Sequence, residues 1–89
     1  MIITAELSLY PLTKDYEAMI IDFIKSLRSN SDIEVLTHAM STFVKGESKA
    51  VFSAINNAVN ASYNKSAFSL NIKVINRDLP IERGFLNFD

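Results

Sequence analysis

From Ile2 to Leu12 the chain reads IITAELSLYPL, with apolar Ile3, Ala5, Leu7 and Leu9 alternating with Thr4, Glu6, Ser8 and Tyr10. Side chains alternate across a strand, so this pattern makes a ribbon with one apolar and one hydrogen-bonding face. About nine such residues at ~3.3 Å each span roughly 30 Å, enough to cross a small domain. Pro11 has no backbone N–H and ends the ladder. A strand this long with one polar face is a natural central strand, and the rest of the chain is expected to pack around it.

Beyond Pro11, Thr13 is a candidate N-cap, with Asp15 and Glu17 in the first turn of a helix. Tyr16, Met19, Ile20, Phe23, Ile24 and Leu27 recur at helical spacing and make one continuous stripe. Ser29-Asn30-Ser31-Asp32 reads as a loop. Residues 33–45 read as two strands turning near Ala39 to Ser41, with Gly46 ending the pair. Ser48 can cap a second helix running from Lys49 to about Lys65, buried through Val51, Phe52, Ile55, Ala58 and Val59, then Ser62 or Tyr63. Residues 67–75 repeat the opening alternation, Phe68, Leu70, Ile72 and Val74 against Ser69, Asn71 and Lys73.

The order is β-α-β-β-α-β with short connections, over one domain spanning residues 1–89. Right-handed crossovers put both helices on one face of a four-stranded antiparallel sheet, a ferredoxin-like α+β sandwich. The expected core joins Ile3, Ala5, Leu7 and Leu9 to Phe68, Leu70, Ile72 and Val74 under the helix stripes. The tail, about residues 76–89, still holds Ile81, Phe85, Leu86 and Phe88, and is expected to dock, with a second subunit as one candidate surface.

Composition removes several functions. A net charge of −1 offers no basic field for phosphates, which disfavours nucleic acid as a partner. Without cysteine there is no thiol chemistry and no thiolate metal site. His38 is the single histidine, so no second imidazole helps it hold a metal, and no metal or cofactor is expected. No apolar run approaches the ~20 residues of a membrane span, and Glu6 interrupts any secretory pattern early, so a cytoplasmic location and no membrane partner are expected.

The sheet face away from the helices then carries Thr4, Glu6, Ser8, Tyr10, Ser69, Asn71 and Lys73. Small hydroxyls beside one carboxylate fit either a subunit interface with trapped water or a cavity for a small polar molecule. In the second case a carboxylate, hydroxyls and an aromatic suit a flat heterocycle bearing an amino group. Glu6 is costly to bury unpaired, so it needs Lys73, water or a cationic ligand, and a cross-strand Glu6–Lys73 ion pair is the plainer alternative.

Three segments carry a resemblance. Ala5-Glu6-Leu7-Ser8-Leu9-Tyr10-Pro11-Leu12 resembles the first-strand signature of the small thiamine-binding protein family of YkoF-like domains. Met40-Ser41-Thr42-Phe43-Val44-Lys45-Gly46 resembles the second signature of that family, and Asn76-Arg77-Asp78-Leu79-Pro80 its turn after the fourth strand. The resemblance implies a ferredoxin-like domain, assembly into homodimers or homotetramers, and non-catalytic binding of thiamine or its hydroxymethylpyrimidine moiety at or near subunit contacts. The chain departs from the family where it has His38-Ala39 and Ser41 around the methionine.

The candidate ligand-binding residues are therefore Glu6, Ser8, Tyr10, His38, Met40 and Thr42. Tyr10 either stacks on a ring or caps the core, and His38 is either a pocket donor or a plain strand-edge residue. Met40 and Thr42 match the family pattern. No enzyme is expected, because no Ser/His/Asp set or glycine-rich phosphate loop occurs and Asp15 with Glu17 belongs to a helix start. The alternative function is a structural or regulatory oligomerisation domain with no small ligand.

Overall fold

The computed structural model describes residues 1–82. Strand β1 (Ile2–Pro11) leads into helix α1 (Tyr16–Arg28), the hairpin β2 (Ile33–Thr37) and β3 (Thr42–Glu47), helix α2 (Ser48–Ser62) and strand β4 (Phe68–Ile75). The sheet order is β2-β3-β1-β4, every neighbouring pair antiparallel, so β1 is central as its alternation requires. This is the ferredoxin-like arrangement.

The helices form where apolar spacing and punctuation coincide. In α1, Met19, Phe23 and Leu27 are buried at successive turns, with Glu17 in the first turn and Lys25 and Arg28 in the last, complementing the helix dipole. It stops where Asn30 Oδ1 accepts the Asp32 N–H at 2.9 Å, a side chain closing its own turn. In α2, Val51, Ala54, Ile55, Ala58 and Ser62 face the core. They meet Ile3, Ala5 and Leu7 of β1, Val44 of β3, and Phe23 and Leu27 of α1 in one cluster.

Several expectations are corrected. The N-cap position of α1 is Asp15, not Thr13, and Ser48 is the first residue of α2 rather than its cap. The end of α2 is Ser62, short of Lys65, where Tyr63, Asn64 and Ser66 are weak helix formers. Gly46 lies inside β3, paired with both Ile3 and Ile33, instead of ending it. A Cβ there would approach the Asp32 carbonyl oxygen to 3.1 Å and Ile33 Cγ2 to 3.2 Å, so glycine serves close strand approach. The apolar face of β4 is less buried than its pattern suggests: Ile72 and Val74 are each 43% exposed, because β4 is an edge strand beyond the main cover of the helices. Phe52 likewise lies outside the buried stripe of α2.

The described part of the tail folds back over the sheet face opposite the helices. Thr4 projects from that face yet is only 7% exposed. Its hydroxyl donates to the Arg77 carbonyl at 2.8 Å and accepts the Leu79 N–H at 3.1 Å. Lys45, next to Thr4 on β3, donates to the Leu79 carbonyl at 2.8 Å and pairs with Asp78 at 3.0 Å and Glu34 at 3.5 Å. Ile81 is buried at the end of this strap. The expected docking of Phe85, Leu86 and Phe88 falls outside the described residues.

Thr4→Val keeps the shape but strips both strap hydrogen bonds. It is expected to cost about 1–3 kcal/mol in urea unfolding and to deprotect the Leu79 amide selectively in hydrogen exchange. The hydrogen bond to Asp78, followed by the charges of Asp78 and Glu34, outweighs burial and raises the Lys45 ammonium above its ordinary pKa. A raised lysine stabilises fully below its unfolded value near 10.4 and loses that contribution as pH climbs through the folded value. Alkaline titration is thus expected to loosen the strap, with Lys45→Met abolishing that pH dependence of Leu79 exchange.

Candidate functional site

The two ladders of β1 differ in length, and the difference makes the site. Pairing with β3 stops at Leu7↔Thr42, whereas pairing with β4 continues to Pro11↔Phe68. From Ser8 onward one flank of β1 has no strand beside it, and its backbone groups there are open to another partner. The turn joining β2 to β3 closes the notch, with the His38 N–H donating to the Ser41 carbonyl at 2.8 Å. Helix α1 supplies the inner wall through Ile20, Phe23 and Ile24.

The result is a cavity of about 130 Å³ with an apolar base and a polar rim of Ser8, Thr37, His38, Ser41 and Thr42. A dry cavity of about 150 Å³ accommodates one benzene, so the space here is that of a single six-membered ring. An apolar body for a ring with a few convergent polar groups to orient it is the usual build of a small-molecule site.

Glu6 does not itself line this cavity: it is on the sheet face away from the helices, paired with Phe43 on one side and Lys73 on the other. Ser41 Oγ donates to Glu6 Oε2 at 3.0 Å, tying the carboxylate to the rim. Lys73 Nζ lies 3.7 Å from Glu6 Oε1, with the two side chains 74% and 36% exposed. The cross-strand ion pair expected as the plainer alternative is therefore present, in the long, solvated form that contributes little.

Of the six residues singled out in the sequence, the structure brings Ser8, His38, Met40 and Thr42 together around the cavity. Glu6 joins them through Ser41. Tyr10 is on the open face, 53% exposed, and stands apart from the cavity. Met40 is at the turn tip, 91% exposed, while Thr42 is buried on the helix side. The His38 imidazole packs edge-on against Phe43, with 4.7 Å between ring centroids and 65° between planes.

Sequence reasoning missed Ser41 and the α1 wall. Ser41 carries a signal only once Thr42 is known to pair with Leu7, which puts the preceding residue beside Glu6. Ile20, Phe23 and Ile24 read as core stripe, and nothing in helical spacing tells a residue over a strand from one over a notch. Among the described residues no helix is long and apolar enough to cross a membrane, and no three His, Cys, Asp or Glu side chains gather as a metal site would require.

Fold and sheet order define a ferredoxin-like α+β domain, with a ring-sized cavity where the central strand outruns its neighbour. The chain belongs to the YkoF-related family, whose model matches residues 2–76. No curated protein matches it. Among solved structures it is similar to a candidate thiamine biosynthesis/salvage protein of Thermotoga maritima, at 16% identity, covering 92% of each chain with a TM-score of 0.80. A protein of Methanocaldococcus jannascii is 22% identical over 86% of this chain and 81% of its own, with a TM-score of 0.76. A domain of unknown function, DUF77, from Bacillus cereus is also 22% identical, over 86% of this chain and 77% of its own, with a TM-score of 0.74. At these identities the likeness is one of fold.

Proposed function

We propose that this protein binds, without chemical conversion, a small aminopyrimidine-type heterocycle, with thiamine or its hydroxymethylpyrimidine moiety as the ligand class. The observation that carries the reading is the 130 Å³ cavity, where an apolar base meets Ser8, His38, Thr42 and Ser41, whose hydroxyl donates to the Glu6 carboxylate. A flat ring fills the apolar part, and its ring nitrogens meet the hydroxyls and free β1 backbone groups. An exocyclic amino group donates to Glu6, a charge-assisted hydrogen bond. The T. maritima relative of the same fold, a candidate thiamine biosynthesis/salvage protein, supports the choice of ligand class.

The site is suited to holding rather than reacting. Ser41 is hydrogen-bonded to a carboxylate, but the imidazole that would serve as an oriented base is turned against Phe43. A second reading, self-association with no small ligand, is favoured by the exposure of Ile72 and Val74 on edge strand β4. An edge of that kind is a template for pairing with a second copy, as a dimer or tetramer.

Calorimetric titration separates the two readings. Hydroxymethylpyrimidine and thiamine are expected to bind the wild-type chain and to be recovered unchanged by mass spectrometry. Glu6→Gln is expected to weaken binding about ten- to a hundredfold, the loss of one charge-assisted hydrogen bond. Silence at millimolar ligand, with concentration-dependent association in sedimentation, favours the purely structural reading instead.

A further inference from the structure

A hydroxyl at the rim of a cavity turns to donate or to accept as a ligand requires. Ser41 does not have that freedom. Its Oγ lies 3.0 Å from Glu6 Oε2, and a carboxylate oxygen only accepts, so the Ser41 proton is directed at Glu6. The backbone of Ser41 is held as well, because its carbonyl accepts the His38 N–H at 2.8 Å. Lys73 approaches the other carboxylate oxygen, 3.7 Å from Oε1, and leaves Oε2 to the serine. Ser41 lines the cavity and Glu6 does not, so the serine hydroxyl is where the charge of the carboxylate is felt at the cavity wall.

We propose that Ser41 is a specificity-determining residue of this cavity: with its proton fixed on Glu6, Oγ presents only lone pairs to the ligand and selects an N–H donor over a carbonyl acceptor. The proposal rests on the ring-binding reading and deepens it by setting the polarity a ring must show at this wall. An exocyclic amino group carries two N–H, one for Ser41 Oγ and one for the carboxylate. An oxo group at the same ring position sets lone pair against lone pair and leaves both oxygens without a partner. Donation to a charged group also polarises the hydroxyl, which makes Oγ a stronger acceptor than an isolated serine. This polarity is borrowed from Glu6 and reverses with it. Beside an amide that donates to Oγ, the Ser41 proton is released and can point into the cavity.

The test titrates the full chain by calorimetry with two probes, hydroxymethylpyrimidine and its analogue bearing an oxo group in place of the exocyclic amino group. Wild type is expected to prefer the amino form at least about tenfold. Ser41→Ala is expected to cut that preference about five- to tenfold, and Ser41→Thr, which keeps the hydroxyl, to restore it to within about threefold of wild type. Glu6→Gln is expected to tighten the oxo form about threefold while it weakens the amino form, and adding Ser41→Ala to Glu6→Gln to remove that gain. A serine that only shapes the turn would weaken both probes alike. Equal losses in Ser41→Ala, an unchanged preference, or an oxo form that gains nothing in Glu6→Gln overturns the role of Ser41, while hydroxymethylpyrimidine binding to wild type keeps the first reading standing. Both probes silent on wild type overturns the two together.

Discussion

One constraint organises this molecule: β1 pairs on both flanks, and the two ladders are of unequal length. Six residues of β1 meet β3, whereas eight meet β4 and reach Pro11. Where both ladders run, alternation divides Ala5 and Leu7 from Thr4 and Glu6 with no freedom of register, because a one-residue slip would bury the carboxylate under the helices. Where only one runs, the strand keeps unpaired backbone beside a cavity. The same strand is thus the spine of the core and the floor of the site.

The strap gives the face opposite the helices two unlike halves. Around Thr4 and Lys45 the chain covers its own sheet, satisfying the Thr4 hydroxyl and surrounding the Lys45 ammonium with Asp78, Glu34 and the Leu79 carbonyl. Around Glu6, Ser8 and His38 no such cover is drawn from the described residues. A polar sheet face would otherwise offer many equivalent places to a ligand or a second copy. Covering one half leaves Glu6 as the carboxylate where the face is accessible, flanked by the turn on one side and the strap on the other.

Much of this was legible in the sequence because it follows from period. Alternation in Ile2–Pro11 and Phe68–Ile75 fixed which side chains leave the sheet together, so the outward direction of Glu6 and Lys73 and their pairing were readable. The stripe of α1 was readable through Met19, Phe23 and Leu27. What was not legible depends on lengths and neighbours rather than on period. Phe52 has the spacing of a core residue and is exposed, and Ile72 and Val74 have the pattern of a buried face but belong to an edge. Ser41 looks like any turn serine until the end of β3 is known. That the tail docks was expected from its apolar residues, but its seat on Thr4 and Lys45 was hidden because the groups it offers there are the Arg77 and Leu79 backbone, which every sequence has.

The account stands on the claim that a ring lies in the notch at the end of β3 with its amino group against Glu6. A crystal structure of the protein grown with hydroxymethylpyrimidine tests this most directly. The predicted result is a flat density between Ser8, Thr42 and the α1 wall, with an exocyclic nitrogen within hydrogen-bond distance of the Glu6 carboxylate. A second copy of the chain closing that notch, or a ring bound away from Glu6, would contradict it.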